Sequence, residues 1–165
     1  MCSGKDEKMQ QKMTVKEICI GAAIAAIYAA LTLLLAPISF GAGGAFQLRV
    51  SEALTLLPCL FPSAVPGLFV GCLLANFLAG APIYDVIFGS LATLIAAVLT
   101  RKLRKNVWLA ALMPVVWNVV IVGSMLSFVY QLPFFYAWLT VLPGEAAACF
   151  LLGIPLVKGL EKIRL

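Results

Sequence analysis

ALTLLPCLFPSAVPGLFVGCLLANFLAGAPIY, residues Ala53–Tyr84, runs for 32 residues without a charge. As one α-helix it would extend about 48 Å, well beyond a bilayer hydrocarbon core of about 30 Å. Pro58, Pro62 and Pro66 fall in its first half, and a proline breaks a helix interior. The stretch therefore divides near Phe61–Ser63 into a short helix and a full one. Upstream, Ile18–Pro37 is uncharged and long enough for one span; it leads into the small-residue loop SFGAGGAF, Ser39–Phe46. Downstream, Val86–Thr100 is stopped by RKLRK, Arg101–Lys105. Asn106–Gly144 is again too long for one span and breaks at Gln131-Leu132-Pro133. A last span from Phe134 to about Val157 precedes Lys158, Lys162 and Arg164.

This reading expects an all-α integral membrane protein of six transmembrane helices. The spans are about 15–37, 49–61, 63–80, 84–101, 107–130 and 134–157, in one membrane domain, 15–165, behind a polar tail, 1–14. Composition agrees: 63% of residues are hydrophobic, 12% are charged and the mean hydropathy is +1.06, outside the range of soluble domains. The tail has no apolar core or cleavage site, so it does not read as a signal peptide. Cys2 follows no hydrophobic segment, which argues against a lipoprotein. Eleven of the twelve Lys and Arg lie in the N-terminal region, the Arg101–Lys105 loop and the C-terminal region. With six spans all three fall on one side, which the positive-inside rule makes cytoplasmic. A single span over Ala53–Tyr84 would put the basic loop outside.

The composition also narrows the chemistry. There is no His, hence neither the commonest general base nor the commonest metal ligand. The five Cys form no C-x-x-C pair, and four sit in apolar runs, as small hydrophobes do. No GxxxxGK[ST] occurs, so any ATP is hydrolysed elsewhere. An enzyme, a resident metal and a bound cofactor are all disfavoured. A channel would carry polar rows along a whole span, whereas here they stop about halfway.

Four ionisable groups interrupt the hydrophobic zone: Arg49, Glu52, Asp85 and Glu145. A charge inside a membrane is expensive and is a functional candidate by default. In the six-span topology Phe40, Gln47, Arg49, Glu52, Asn76, Asp85, Tyr136 and Trp138 lie toward the outward half, with Tyr130 and Gln131. Each has a plainer explanation. Arg49 and Glu52, three apart, share a helix face and suit an ion pair. Asp85 beside Pro82 suits a helix N-cap. Asn118 suits an interhelical hydrogen bond. Tyr130, Tyr136 and Trp138 suit interface anchors, although Trp117 is too deep for that and suits a planar ligand. Glu145, after Pro143-Gly144 and far from any cation in sequence, is the hardest to explain structurally.

Small residues recur at spacing four: Ala22, Ala26 and Ala30, with Ala25 and Ala29 offset beside them, and Gly67, Gly71, Ala75 and Ala79. Such rows let helix backbones approach closely in lipid, either within the bundle or against another subunit.

FQLRVSEALTLLP (Phe46–Pro58), PGLFVGCLLANFLAG (Pro66–Gly80), YDVIFGSLATLIAA (Tyr84–Ala97) and PGEAAACFLLGIPL (Pro143–Leu156) together resemble the QueT family, in order and spacing. The resemblance implies a substrate-binding S component of an energy-coupling factor (ECF) transporter in a bacterial cell membrane. Its partners would be a transmembrane T component and two ATPase subunits, which would hold the ATP and magnesium. Nucleic acid is not an expected partner. The cargo implied is a queuosine precursor, a 7-deazaguanine such as preQ0 or preQ1; related S components take other vitamins on one fold. The helix-one alanines would meet the T component, with Ala22, Ala26 and Ala30 the matching set and Ala25 and Ala29 nearly as good. A carboxylate suits the adjacent N1–H and 2-amino donors of a deazaguanine, and Glu145 is the natural choice. Gln47, Asn76, Asn118 and Arg49 suit its O6 and ring nitrogen. An aminomethyl cargo would need a second carboxylate, Asp85 or Glu52. The Ser39–Phe46 loop is expected to close over the ligand, bringing Phe40 or Phe46 onto it.

Overall fold

The computed structural model describes residues 14–36 and 49–164. Phe40, Phe46 and Gln47, and with them the expected lid, lie outside those residues. All regular structure among the described residues is helical: α1 (Val15–Leu34), a 3₁₀ helix η1 (Val50–Cys59), α2 (Ala64–Leu78), α3 (Ile83–Lys102), α4 (Val107–Tyr130), α5 (Phe134–Ala146), a π-helical segment (Ala147–Gly153) and α6 (Ile154–Arg164). Among the described residues four stretches are long and apolar enough to cross a membrane: Val15–Leu34, Ile83–Lys102, Val107–Val129 and Phe134–Ile163. Val50–Cys59 and Ala64–Leu78 are apolar but shorter. The final helical run continues through the π segment to Arg164.

Local chemistry sets the ends. Thr14 and Glu17 form a capping box on α1, with the Thr14 amide donating to Glu17 Oε2 at 2.9 Å. Asn106 caps α4 by accepting from the amides of Trp108 and Leu109 at 3.1 and 3.4 Å. Helix α4 stops where Gln131 turns left-handed, φ 54°, just before Pro133. Pro114 inside α4 has no N–H for the carbonyl of Ala110. Thr100 Oγ1 donates to that carbonyl instead, at 3.1 Å, which ties α3 to α4. Arg101 Nη1 likewise donates to the Pro58 carbonyl at 3.0 Å and closes the end of η1.

Sequential helices pack against one another, α1 on α2, α2 on α3, α3 on α4 and α4 on α5. The element η1 fills the middle, touching α1, α3, α4 and the π segment. Eight of its ten residues are buried. Its apolar side chains serve two cores: Leu54 and Leu57 join Ile24, Leu68 and Cys72, while Leu56 joins Val115, Ile154 and Val157. Large apolar side chains cover the outside, Phe77, Phe128 and Leu151 among them. Apolar on both the inside and the outside is the pattern lipid allows and water does not.

The two alanine registers separate cleanly. Gly21, Ala25 and Ala29 are buried. A Cβ on Gly67 would collide with the Gly21 carbonyl oxygen, and one on Gly71 would come within 2.9 Å of the Ala25 carbonyl. The α1–α2 seam is therefore backbone against backbone, as small residues permit. Ala22, Ala26 and Ala30 are exposed on another face of α1.

Candidate functional site

Glu52 sits in the first turn of η1 and is fully buried. Its Oε1 accepts from the Tyr28 hydroxyl at 2.5 Å. Tyr28 projects from α1 and is 1% exposed. One turn further on, Thr32 Oγ1 donates to Ser51 Oγ at 2.8 Å, so α1 grips η1 at adjacent residues. From the other side, Cys149 Sγ in the π segment reaches the Glu52 carbonyl at 3.8 Å. Close packing continues at Gly153, where a Cβ would stand 3.1 Å from the Ala53 carbonyl. The two irregular helices thus lie face to face. Long 3₁₀ runs and π segments are both uncommon and collect at functional positions.

Glu145 lies in the last turn of α5, one residue short of its end at Ala146, and is 4% exposed. It lies within electrostatic reach of Glu52 and Arg49. Asn118, 2% exposed on α4, is near enough to interact with both carboxylates. Yet among the described residues Glu52 Oε2, Glu145 Oε2 and Asn118 Nδ2 have no hydrogen-bond partner. Leaving a buried polar group unmade costs about 1–3 kcal/mol, and more for a charged one. Two acceptors and a donor left open together are what a polar ligand would complete.

Arg49 does not form the expected ion pair with its sequence neighbour Glu52. Its Nη2 lies 3.3 Å from Oδ1 of Asp85, and both are buried. The η1 backbone at Arg49 is extended rather than helical, so the three-residue helical spacing does not apply. Nor does Asp85 cap α3, whose N-cap is Pro82. Asn76 Nδ2 braces this pair by donating to the Asp85 carbonyl at 3.2 Å. Gly89 makes room: a Cβ there would meet Asn76 Nδ2 at 3.1 Å and Arg49 Nη1 at 3.7 Å. Arg49, Asp85 and Asn76 therefore form a second, largely self-satisfied cluster on α2, α3 and the start of η1.

The aromatic candidates are dispersed. Trp117 is half-buried beside Asn118. Trp138, 37% exposed, lies over Gly123 and donates its indole N–H to Ser124 Oγ at 3.4 Å. Tyr136 is 51% exposed. Tyr28 is the residue that sequence reasoning missed. Its signal was available: a phenol deep in an apolar span, far from the interfaces where Tyr anchors normally sit.

A multi-pass helical bundle with unfilled acceptors and a donor at its centre is the build of a membrane carrier of small polar solutes. Residues 18–162 match the model of the QueT transporter family, and the chain belongs to that family. It is 30% identical over 156 residues, 86% of this chain, to the Queuosine precursor transporter QueT of Lactococcus lactis subsp. cremoris (strain MG1363), of which 90% is covered. No solved structure matches.

Proposed function

We propose that this chain is the substrate-capture S component of an ECF-type importer. Its cargo is a queuosine precursor of the 7-deazaguanine class, taken from outside a bacterial cell membrane. It spans the bilayer six times, with both termini cytoplasmic. It hands its cargo on with a T component and two ATPases, which bind the ATP and magnesium. The observation that carries this reading is the trio of buried atoms without partners among the described residues, Glu52 Oε2, Glu145 Oε2 and Asn118 Nδ2. The name of the Lactococcus relative supplies the cargo. A deazaguanine offers N1–H and a 2-amino group side by side for Glu145, and an O6 acceptor for the Asn118 amide. The exposure of Ala22, Ala26 and Ala30 supports that register as the T-component face, and the burial of Ala25 and Ala29 supports internal packing for theirs.

Equilibrium binding to the detergent-purified chain tests the cargo. A 7-deazaguanine should bind where pterins and pyrimidine vitamins do not. Glu145→Gln turns one acceptor oxygen into a donor facing a ligand donor. Affinity should fall roughly ten- to hundred-fold, about 1.4–2.8 kcal/mol. A 7-deazahypoxanthine, lacking the 2-amino group, should lose less. Equal losses for both analogues, with a lower melting temperature, would make Glu145 a structural group.

A further inference from the structure

The charges inside the bundle do not balance. Between Glu17 and Arg101 the only Lys, Arg, Asp or Glu are Arg49, Glu52 and Asp85; between Lys105 and Lys158 there is only Glu145. All four are buried, none more than 6% exposed. Three acids against one base leave a formal surplus of two negative charges in a low-dielectric interior. Such a surplus is costly unless a cation or protons neutralise it.

Asp85 is a poor candidate to bind a cation from the cargo. It lies against the Arg49 guanidinium, and its carbonyl holds Asn76. Glu52 differs. The Tyr28 hydroxyl occupies Oε1 as a donor and fixes the carboxylate from behind, while Oε2 is buried with no partner among the described residues. Tyr28 comes from α1 and Glu145 from α5, so the open oxygen of Glu52 belongs to the shared centre. On the deazaguanine reading above, Glu145 takes the two ring donors and Asn118 the ring carbonyl. The pyrrole N–H and the second amino hydrogen that remain are neutral donors and leave the surplus charge in place. What would both complete Glu52 and offset that charge is a donor that carries positive charge.

We infer that Glu52 holds a cationic arm of the cargo, so that the protein selects a deazaguanine bearing a primary ammonium over one bearing a neutral substituent. An ammonium brings three donors and one charge to Glu52. A nitrile brings only an acceptor, whose lone pair would face the carboxylate. A site built for a donor rejects the analogue lacking it, because its own buried group is then left unpaired.

The inference rests on the proposed cargo class, and the test keeps the two apart. Dissociation constants would be measured for 7-aminomethyl-7-deazaguanine, 7-cyano-7-deazaguanine and unsubstituted 7-deazaguanine. On wild-type protein the aminomethyl compound should bind at least about tenfold tighter than either other compound. Glu52→Gln should narrow that gap to roughly threefold or less. Tyr28→Phe keeps the Glu52 charge and should keep the preference, whatever it does to absolute affinity. If Glu52→Gln does not fold, the wild-type ranking and Tyr28→Phe still decide. Equal binding of all three compounds to wild type overturns the cationic arm and leaves the deazaguanine reading standing. Binding of none of them overturns both.

Discussion

The α1–α2 seam and the Glu52–Glu145 centre are equally buried and are built on opposite rules. At the seam, Gly21 and Ala25 meet Gly67 and Gly71 with no space for even a methyl group. At the centre, two carboxylate oxygens and an amide nitrogen stand without partners among the described residues. The seam is saturated in packing; the centre is unsaturated in hydrogen bonding. A membrane interior has no water to hide such a deficit. Burial alone therefore says little about function here, and what distinguishes the site is what its buried atoms lack.

The largest expected effect attacks the saturated side. Gly67→Leu drives a branched side chain into the Gly21 backbone, which cannot rotate away. Overpacking costs about 1–3 kcal/mol even where side chains yield. The melting temperature in detergent should drop by roughly 5 °C or more, with poor recovery of folded protein. An unchanged melting curve would mean the seam is looser than its geometry implies.

A smaller effect, opposite in kind, belongs to the centre. Asn118→Leu removes the unpartnered donor and fills its place with hydrocarbon. Affinity for the cargo should fall about tenfold, while the melting temperature holds or rises, because a buried unpaired amide has gone. If stability fell together with affinity, Asn118 would side with the seam as a packing residue.

The smallest intrinsic effect is expected one residue from the seam, at Ala26. Its side chain is exposed, so Ala26→Leu should shift stability by no more than about 0.5 kcal/mol and leave cargo binding within roughly twofold. Co-purification with a T component should nonetheless weaken, because a bulky side chain separates backbones that must approach. Loss of binding as well would erase the distinction between the two faces of α1.

How far the sequence carries this comparison depends on the range of each interaction. The helix breaks at Phe61–Ser63 and Gln131–Pro133 were legible because proline acts locally. Glu145 stood out because a carboxylate in an apolar run needs a reason wherever it lands. The partners of Arg49 and Glu52 were not legible. Local spacing offered each to the other, whereas the fold delivers Asp85, 36 residues away, and Tyr28, 24 residues away. The π segment reads AACFLLG, a sequence equally at home in an α-helix; only its packing against η1 separates the two. The alanine registers differ by one residue, or about 100° around a helix, and burial, not spacing, tells them apart.

The 3₁₀ form of η1 has a consequence for how much chain the protein needs. At about 2.0 Å per residue, its ten residues reach roughly 20 Å, where an α-helix of the same length would reach about 15 Å. That is two-thirds of a hydrocarbon core about 30 Å thick, covered by a segment half the length of an ordinary span. Thin and stretched, the segment runs between α1, α3, α4 and the π segment, which pack against it. The slenderness of this one rod lets α1 and the π segment reach it from two sides at closer quarters than an α-helix in its place would allow.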